Sequence, residues 1–361
     1  MKIVIVVSQI SPGGGLTKYV ANLAYMLSEN SENIVSIITT HHSEENVFIN
    51  NLVEQKRVNI FQLGHKDKIS KYISLAGLVH RLAPDIIVNN YNAPLQYILP
   101  FISRKCRIVH VLHSNTDDFY RVASINGRLV DAWVAPTPAL KEYFDNFTTG
   151  KYRGRIHVIA HGVESPLSDR LRTSVIQLAY VGVLYEHKGV KILPDIIKGL
   201  RDRGLDFRFT FIGDGILRDY LCERLATEIE DGVVEFTGRI PAKEVYSRLS
   251  STDVFVYPTH IDAFGLVIAE AMINGAVPVV TLLRGITDSL IVDGKSGFLV
   301  EQDNVSQFCD RIESLIKSYT LLESMRRQSE SRAKSLFTLD IMKSNYVDFF
   351  NRLIADKDVV I

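Results

Sequence analysis

Thr259–Val280 reads THIDAFGLVIAEAMINGAVPVV, and this run decides the fold. Just before it, Asp253-Val254-Phe255-Val256-Tyr257 is a β-type segment that stops at Pro258. A short polar turn with Gly265 follows, and then a helical pattern with apolar Leu266, Val267, Ala269, Met272 and Ile273. Strand, tight turn and helix together present backbone N–H groups and a positive dipole to an anion. Two acids, Asp262 and Glu270, stand across that turn. On one continuous helix they would lie about 12 Å apart along the axis, too far to grip one small ligand. With Asp262 in the turn and Glu270 about one and a half turns into the helix, both face a single cleft. Glu270 stands among apolar and small residues, where an unpaired carboxylate is costly, so it requires a hydroxyl or a cation as partner. The bland alternative is a helix cap at Asp262 and an ordinary solvated glutamate at Glu270.

At 361 residues the chain is too long for one ordinary core, which predicts two domains. Apolar content of 46% and charged content of 23% describe a soluble globular protein. No apolar run reaches the length needed to span a membrane. The start, MKIVIVVSQISPGGG, has one basic residue before its apolar stretch and reads as a first strand rather than a signal peptide. Cys106, Cys222 and Cys309 are scattered and odd in number, so they form neither a zinc pattern nor a disulfide framework. That usage suits a reducing cytoplasm. Net charge is zero, yet residues 1–165 hold 17 Lys and Arg against 13 Asp and Glu, a balance of +4. Weak peripheral contact with the inner face of the cell membrane is therefore expected through this half, with basic clusters at Arg104-Lys105-Arg107 and Lys151-Arg153-Arg155. No nucleic-acid partner is expected.

Buried runs predict strands at Lys2–Val7, Ile34–Thr39, Asn59–Leu63, Ile86–Val88, Arg107–Leu112, Ala132–Ala135 and Ile156–Ile159. The pattern lapses around Ser165–Thr173, read as a linker, and then restarts. Strands follow at Gln177–Val183, Phe207–Ile212, Val233–Phe236, Asp253–Tyr257, Val277–Thr281 and Gly297–Val300. Helical patterns alternate with them, including Ile69–Leu82, Val190–Gly199, Leu217–Ile229 and Lys243–Leu249, and the last 40 residues are helical. Strands alternating with helices over short loops mean doubly wound α/β domains, with ligands at the carboxyl ends of strands.

Gly13-Gly14-Gly15 lies between the first strand and first helix, where glycine lets a phosphate or sugar approach the backbone. It is not GxGxxG, and the acid a dinucleotide site needs is missing, so a tight turn is the competing reading. Gly182–Gly189, GVLYEHKG, opens the second half at the equivalent place, and Lys188 would meet an anion there unless it is merely a solvated lysine. Gly213-Asp214-Gly215 and Gly238-Arg239 are further turns after strands, and their repetition favours one functional rim. His113 ends a strand and precedes the polar run Ser114-Asn115-Thr116-Asp117-Asp118, whereas His110 in that strand reads as core. Asp117 and Asp118 lack supporting ligand spacing, so no metal and no cofactor are expected.

These segments resemble family 4 of the retaining glycosyltransferases over nearly the whole chain. The carriers are the Gly14-Gly15 turn, VGVLYEHKGV, FIGDGILRDYL, VEFTGRI, VFVYPT, DAFGLVIAEAMINGAVPVV and the later DGKSGFLV. The resemblance implies the GT-B fold, two Rossmann-like doubly wound domains facing across a cleft. It implies an acceptor-binding N-terminal domain over 1–166, joined by a C-terminal helix at about 340–361, and a nucleotide-sugar-binding domain over 174–339. It implies that Glu270 holds the ribose hydroxyls, and that the Phe264-Gly265-Leu266 backbone and Asp262 hold the transferred sugar. Lys188 then meets the diphosphate, Arg239 and Ile240 lie beside the base, Gly213 lines the donor site, Gly14 and Gly15 lie near the phosphates, and His113 is near the sugar. The implied reaction moves a hexose-like sugar from a UDP- or GDP-linked donor to a glycan or lipid-linked acceptor, in bacterial cell-surface polysaccharide or lipopolysaccharide synthesis. Two departures stand out: Asp262 where the family usually has glutamate, and Val183 where an arginine usually joins the lysine. A sugar-nucleotide epimerase of the same fold and a non-catalytic nucleotide-sugar-binding subunit are the alternatives.

Overall fold

The computed structural model describes residues 1–11, 14–42, 47–55, 57–64, 67–164 and 174–358. Gly13 and the expected linker at Ser165–Thr173 lie outside the described residues. The chain forms two units, Met1–Gly162 with Leu339–Ile361, and Val163–Thr338.

The first unit carries β1 (Lys2–Val7), β2 (Ile34–Thr39), β3 (Val58–Gln62), β4 (Ile86–Asn90), β5 (Arg107–Val111), β6 (Ala132–Ala135) and β7 (Ile156–Val158). They form one parallel sheet in the order β3-β2-β1-β4-β5-β6-β7. The second unit carries β8 (Ile176–Val181), β9 (Phe207–Ile212), β10 (Val234–Gly238), β11 (Val254–Tyr257), β12 (Val277–Thr281) and β13 (Phe298–Val300). Its order is β10-β9-β8-β11-β12-β13, again all parallel. Both sheets are doubly wound, as in the GT-B fold. The strand order reverses between β1 and β4 in one and between β8 and β11 in the other, and in such sheets ligands lodge where the order reverses. Val, Ile and Phe dominate the central strands because helices cover both faces of a parallel sheet.

Three helical expectations need correction. The Leu217–Ile229 helix breaks at Leu225 into Arg218–Arg224 and Ala226–Glu230. Asp117 and Asp118, read only as part of a polar run, start the helix Asp117–Ser124, where two acids suit the positive end of the dipole. Val47–Glu54, Ala93–Ile98 and Pro138–Phe147 are helices that periodicity does not single out. The last helix, Leu339–Asp358, packs into the first unit, where Met342, Tyr346, Phe349 and Phe350 join the core around Tyr19 and Leu23.

At the amino ends of the strands one device recurs. The aspartate just before a strand accepts the first free N–H of the neighbouring strand. Asp85 takes Lys2 N at 2.7 Å, Asp131 takes Ile108 N at 2.7 Å, and Asp253 takes Gln177 N at 2.8 Å. Asp253 also meets buried Arg326, on the helix Tyr319–Leu336, at 2.8 Å. Arg326 further donates to the Gly275 carbonyl at 3.0 Å and pairs with Glu323. Arg326→Ala should therefore destabilise the second unit by about 3–5 kcal/mol, because a buried aspartate loses its cation. Lys334→Ala, which breaks only the exposed pair with Glu330, should cost under about 1 kcal/mol. Urea unfolding of the two variants checks the contrast, and equal losses would contradict it.

Candidate active site

Four turns meet at the carboxyl rim of the second sheet. The Gly182 loop leaves β8, the Gly213 turn leaves β9, Gly238 closes β10, and Pro258–Gly265 leaves β11. They touch backbone to backbone: Gly213 N donates to Gly238 O at 3.0 Å, Leu184 N to Asp214 O at 3.0 Å, and His260 N to His187 O at 3.1 Å. Glycine is required at two of the contacts. A Cβ on Gly189 (φ +65°) would fall 1.8 Å from the Pro258 carbonyl oxygen, and one on Gly213 (φ +134°) 2.0 Å from that of Gly182. The close approach expected to make room for a ligand thus also closes the turns on one another.

Asp262 and Lys188 come together here. Lys188 Nζ lies 2.9 Å from Asp262 Oδ2, donates to the Ile261 carbonyl at 3.3 Å, and sits over the Tyr257 ring at 5.6 Å from its centroid. Tyr257 Oη donates to the same Oδ2 at 3.0 Å. The other oxygen, Oδ1, accepts from Ala263 N at 2.8 Å, Phe264 N at 3.3 Å and Gly265 N at 2.9 Å. Asp262 is therefore not the helix cap of the bland reading: the helix Leu266–Ile273 is capped by Gly265 with no side-chain hydrogen bond, and Asp262 instead gathers the turn before it and binds the lysine. Nor is Lys188 a solvated surface lysine. The Phe264 and Gly265 N–H groups are turned onto Asp262. Burial pushes the Asp262 carboxyl upward, but the Lys188 charge and hydrogen bond, the Tyr257 hydroxyl and the backbone N–H of Phe264 hold it below the usual carboxylate range.

Glu270 is buried at 6% exposure, which excludes the solvated reading. Tyr246 Oη, from the helix Ala242–Ser250, approaches Glu270 Oε1 at 3.4 Å and supplies the hydroxyl that a carboxylate in that setting needs. Burial and then the Glu270 charge push the Tyr246 hydroxyl far above its ordinary pKa, so it stays a donor. Arg239 is exposed and Ile240 half-buried, just after β10. Val183 is half-exposed at 38%, and its carbonyl accepts from Tyr180 Oη at 2.8 Å.

In the first unit Gly14 and Gly15 open the helix Gly15–Ser28, and a Cβ on either would meet nothing within 4 Å. His113 follows β5, half-buried, with Nε2 2.9 Å from Asn90 Oδ1. Tyr19 meets its ring edge-on at 4.9 Å. His110 is core, as expected: it is fully buried, Gln96 Nε2 lies 2.7 Å from its Nδ1, and burial pushes its pKa down to about 3. The amides Asn89, Asn90, Asn92 and Gln96, all fully buried, are site neighbours that sequence reasoning misses. Their signal is present, since Ile86-Ile87-Val88 is an apolar strand that ends in two asparagines. Tyr246 and Tyr257 give no such signal.

The Asp262 pair makes a pH prediction. A carboxyl held low in the folded state stabilises it above the ordinary carboxylate pKa, and that stability is lost as pH falls through the folded value. Lys188→Met removes the cation and leaves the burial, so the Asp262 carboxyl should titrate higher. Acid loss of stability should then begin at higher pH than in the parent chain. Urea midpoints measured from neutral to acid pH check this, and superimposable curves would contradict it.

Two family profiles match nearly end to end: Glycosyltransferase Family 4 over residues 13–165, and Glycosyl transferases group 1 over residues 168–333. The chain is 26% identical over 328 residues to MJ1178 of Methanocaldococcus jannaschii, an uncharacterized glycosyltransferase, covering 89% of this chain and 90% of that protein. It is also similar to the crystal structure of Anabaena Alr3699/HepE in complex with UDP, at TM-score 0.79 and 18% identity, over 98% of this chain and 100% of that one. The lipopolysaccharide outer core galactosyltransferase WaaB, in its apo form, superposes at TM-score 0.74 and 16% identity, over 99% of this chain and 100% of that one. Two doubly wound parallel sheets of GT-B type, a rim of four turns carrying Lys188, Asp262 and Glu270, and these matches have one reading: the chain belongs to glycosyltransferase family 4, the group 1 glycosyl transferases.

Proposed function

We propose that the protein is a retaining glycosyltransferase that moves a hexose-like sugar from a UDP- or GDP-linked donor to a hydroxyl of a glycan or lipid-linked acceptor, in bacterial cell-surface polysaccharide synthesis. The observation that carries this reading is the part-buried Lys188–Asp262 pair just ahead of a helix whose buried acid, Glu270, is matched to a hydroxyl. Likeness to a structure holding UDP supports the donor class. The second unit binds the donor and the first the acceptor. Glu270 takes the ribose hydroxyls, Arg239 and Ile240 flank the base, and Gly213 lines the donor site. Asp262 and the Leu266 backbone hold the transferred sugar, since the Phe264 and Gly265 N–H groups expected to join them are engaged by Asp262 itself. Gly14 and Gly15 face the phosphates, and His113 faces the sugar. The acceptor oxygen attacks the anomeric carbon on the face from which the diphosphate leaves, and the departing phosphate oxygen takes the acceptor proton. The enzyme's share is then electrostatic: Lys188 and the helix start neutralise charge on the leaving diphosphate. No metal is needed in this reading, and among the described residues no group of three or more His, Cys, Asp or Glu is placed to hold one.

Turnover of a panel of nucleotide sugars, read as nucleoside diphosphate released on addition of acceptor, tests the proposal. Glu270→Gln should weaken donor binding by about 1.5–3 kcal/mol, the range for hydrogen bonds to charged groups. Unchanged affinity in a folded variant would sink the ribose assignment. Donor binding without turnover would instead point to a non-catalytic subunit, and an inverted sugar centre to an epimerase.

The acceptor reading includes contact with a membrane surface. Ile69 (72% exposed), Ile73 (68%) and Phe101 (81%) stand out from the helix Lys68–Leu82 and the segment Ala93–Phe101, which meet where Tyr72 and Tyr97 lie 5.8 Å apart. Neither segment contains an acid, and exposed Lys68, Arg104 and Lys105 rim them, which favours an anionic bilayer. The second basic cluster is engaged within the protein: Arg155 lies over the Trp133 ring and donates to the Val130 carbonyl at 2.6 Å, and Arg153 pairs with Asp145 at 2.7 Å. Among the described residues no helix is long and apolar enough to cross a membrane. Binding to anionic vesicles should be weak and salt-sensitive. Removing Arg104 and Lys105 together should lower it roughly fivefold per charge, at about 1 kcal/mol each. Equal co-sedimentation with neutral and anionic vesicles would refute the surface.

A further inference from the structure

We infer that Asn90 is a positioning residue that holds the His113 ring in the tautomer protonated on Nε2, leaving Nδ1 as a bare acceptor for a substrate hydroxyl. The inference rests on the assignment of His113 to the sugar made above. Asn90 is the last residue of β4, fully buried, and its side chain spans two groups. Its Nδ2 donates to the Val88 carbonyl at 3.3 Å, and its Oδ1 lies 2.9 Å from His113 Nε2. Turning the amide over would set its oxygen against the Val88 oxygen, so the nitrogen faces the carbonyl and the oxygen faces the imidazole. A carbonyl oxygen only accepts, so Nε2 must carry the proton. An uncharged imidazole has one proton to place, and Nδ1 keeps its lone pair.

The two histidines of this strand region use the same chemistry in opposite ways. The Nδ1 of His110 is occupied inside the core by the amides of Gln96 at 2.7 Å and Asn89 at 3.3 Å. His113 is turned round, with its Nε2 tied inward and its ring held edge-on by Tyr19 at 4.9 Å and Phe119 at 6.4 Å. Its Nδ1 accepts no hydrogen bond from the described residues, and the residue is half-buried rather than closed off.

An amide suits this task better than a carboxylate. It orients the ring without adding a charge that would hold the imidazole protonated, and a protonated ring has no lone pair left to offer. The groups facing the ring act in the same direction. They are Tyr19 from the helix Gly15–Ser28, His110 from β5 and His161 from the segment after β7, while Asp117 and Asp118 on the following helix point to solvent. Burial first, and then His161 and His110, push the His113 pKa well below its ordinary value.

The test is histidine ¹⁵N NMR on the full chain, with the His113 signals assigned by their loss in His113→Gln. The parent protein should show His113 protonated on Nε2 alone. Asn90→Ala should give a mixture of tautomers and lower turnover roughly 10–100-fold with donor KM little changed, the size of a small misplacement. Asn90→Asp, nearly the same in shape, should keep the proton on Nε2 while His113 titrates about 1–3 pH units higher. Its rate should then fall on the acid side and recover above the raised pKa, where the ring is uncharged again. A parent His113 protonated on Nδ1, or the same single tautomer in Asn90→Ala, overturns the inference whatever the activity. Full turnover in His113→Gln overturns instead the reading on which it rests.

Discussion

The Asp262 carboxylate is the point on which the working rim of the second sheet turns. One of its oxygens gathers three successive backbone N–H groups, and the other gathers a lysine and a tyrosine hydroxyl. Through Lys188 it ties the loop after β8 to the loop after β11, the two strands between which the sheet reverses its order. A charge this well hydrogen-bonded survives burial, where a lone carboxylate would have been neutralised. The departure from glutamate to aspartate also has a physical consequence. The shorter side chain folds back onto its own turn and accepts its N–H groups, so on the proposed reading the rim is organised before a donor arrives.

Much of this is legible in the residues, and the limits follow from the physics. The central strands show themselves because a parallel strand buried on both faces must be a near-continuous apolar run, and Lys2–Val7 and Val277–Thr281 are such runs. Short helices such as Ala93–Ile98 do not, since six residues hold too little periodicity to register. Glu270 is readable as an acid needing a partner, because its neighbours along the helix are apolar. That the partner is Tyr246 is not, since the two meet only when the helix Ala242–Ser250 packs beside Leu266–Ile273. The sequence poses Asp262 as either a helix cap or a ligand group, and in the fold one of its oxygens holds the turn ahead of the helix while the other holds Lys188 and Tyr257.

The amino and carboxyl ends of the strands divide the labour. At the amino ends, aspartates seal the first N–H groups of neighbouring strands, and Arg326 is buried there against Asp253. At the carboxyl ends, glycine turns, half-exposed side chains and the Asn90–His113 pair accumulate. Polar groups at the first place seal neighbouring strands to one another, and at the second they tie loop to loop, as Lys188, Tyr257 and Asp262 do.

The last helix changes how the protein must be made. Met342, Tyr346, Phe349 and Phe350 belong to the core of the first unit, and the Tyr346 hydroxyl meets that of Tyr19 inside it. Yet all of Val163–Thr338 is synthesised in between. At ribosomal speed that interval lasts roughly 10–35 s, during which the first unit has its sheet but not its closing helix. The second unit has no such dependence and is free to fold on emergence. The first unit must therefore wait with an apolar face uncovered, so during synthesis the amino-terminal half is the one that needs a chaperone.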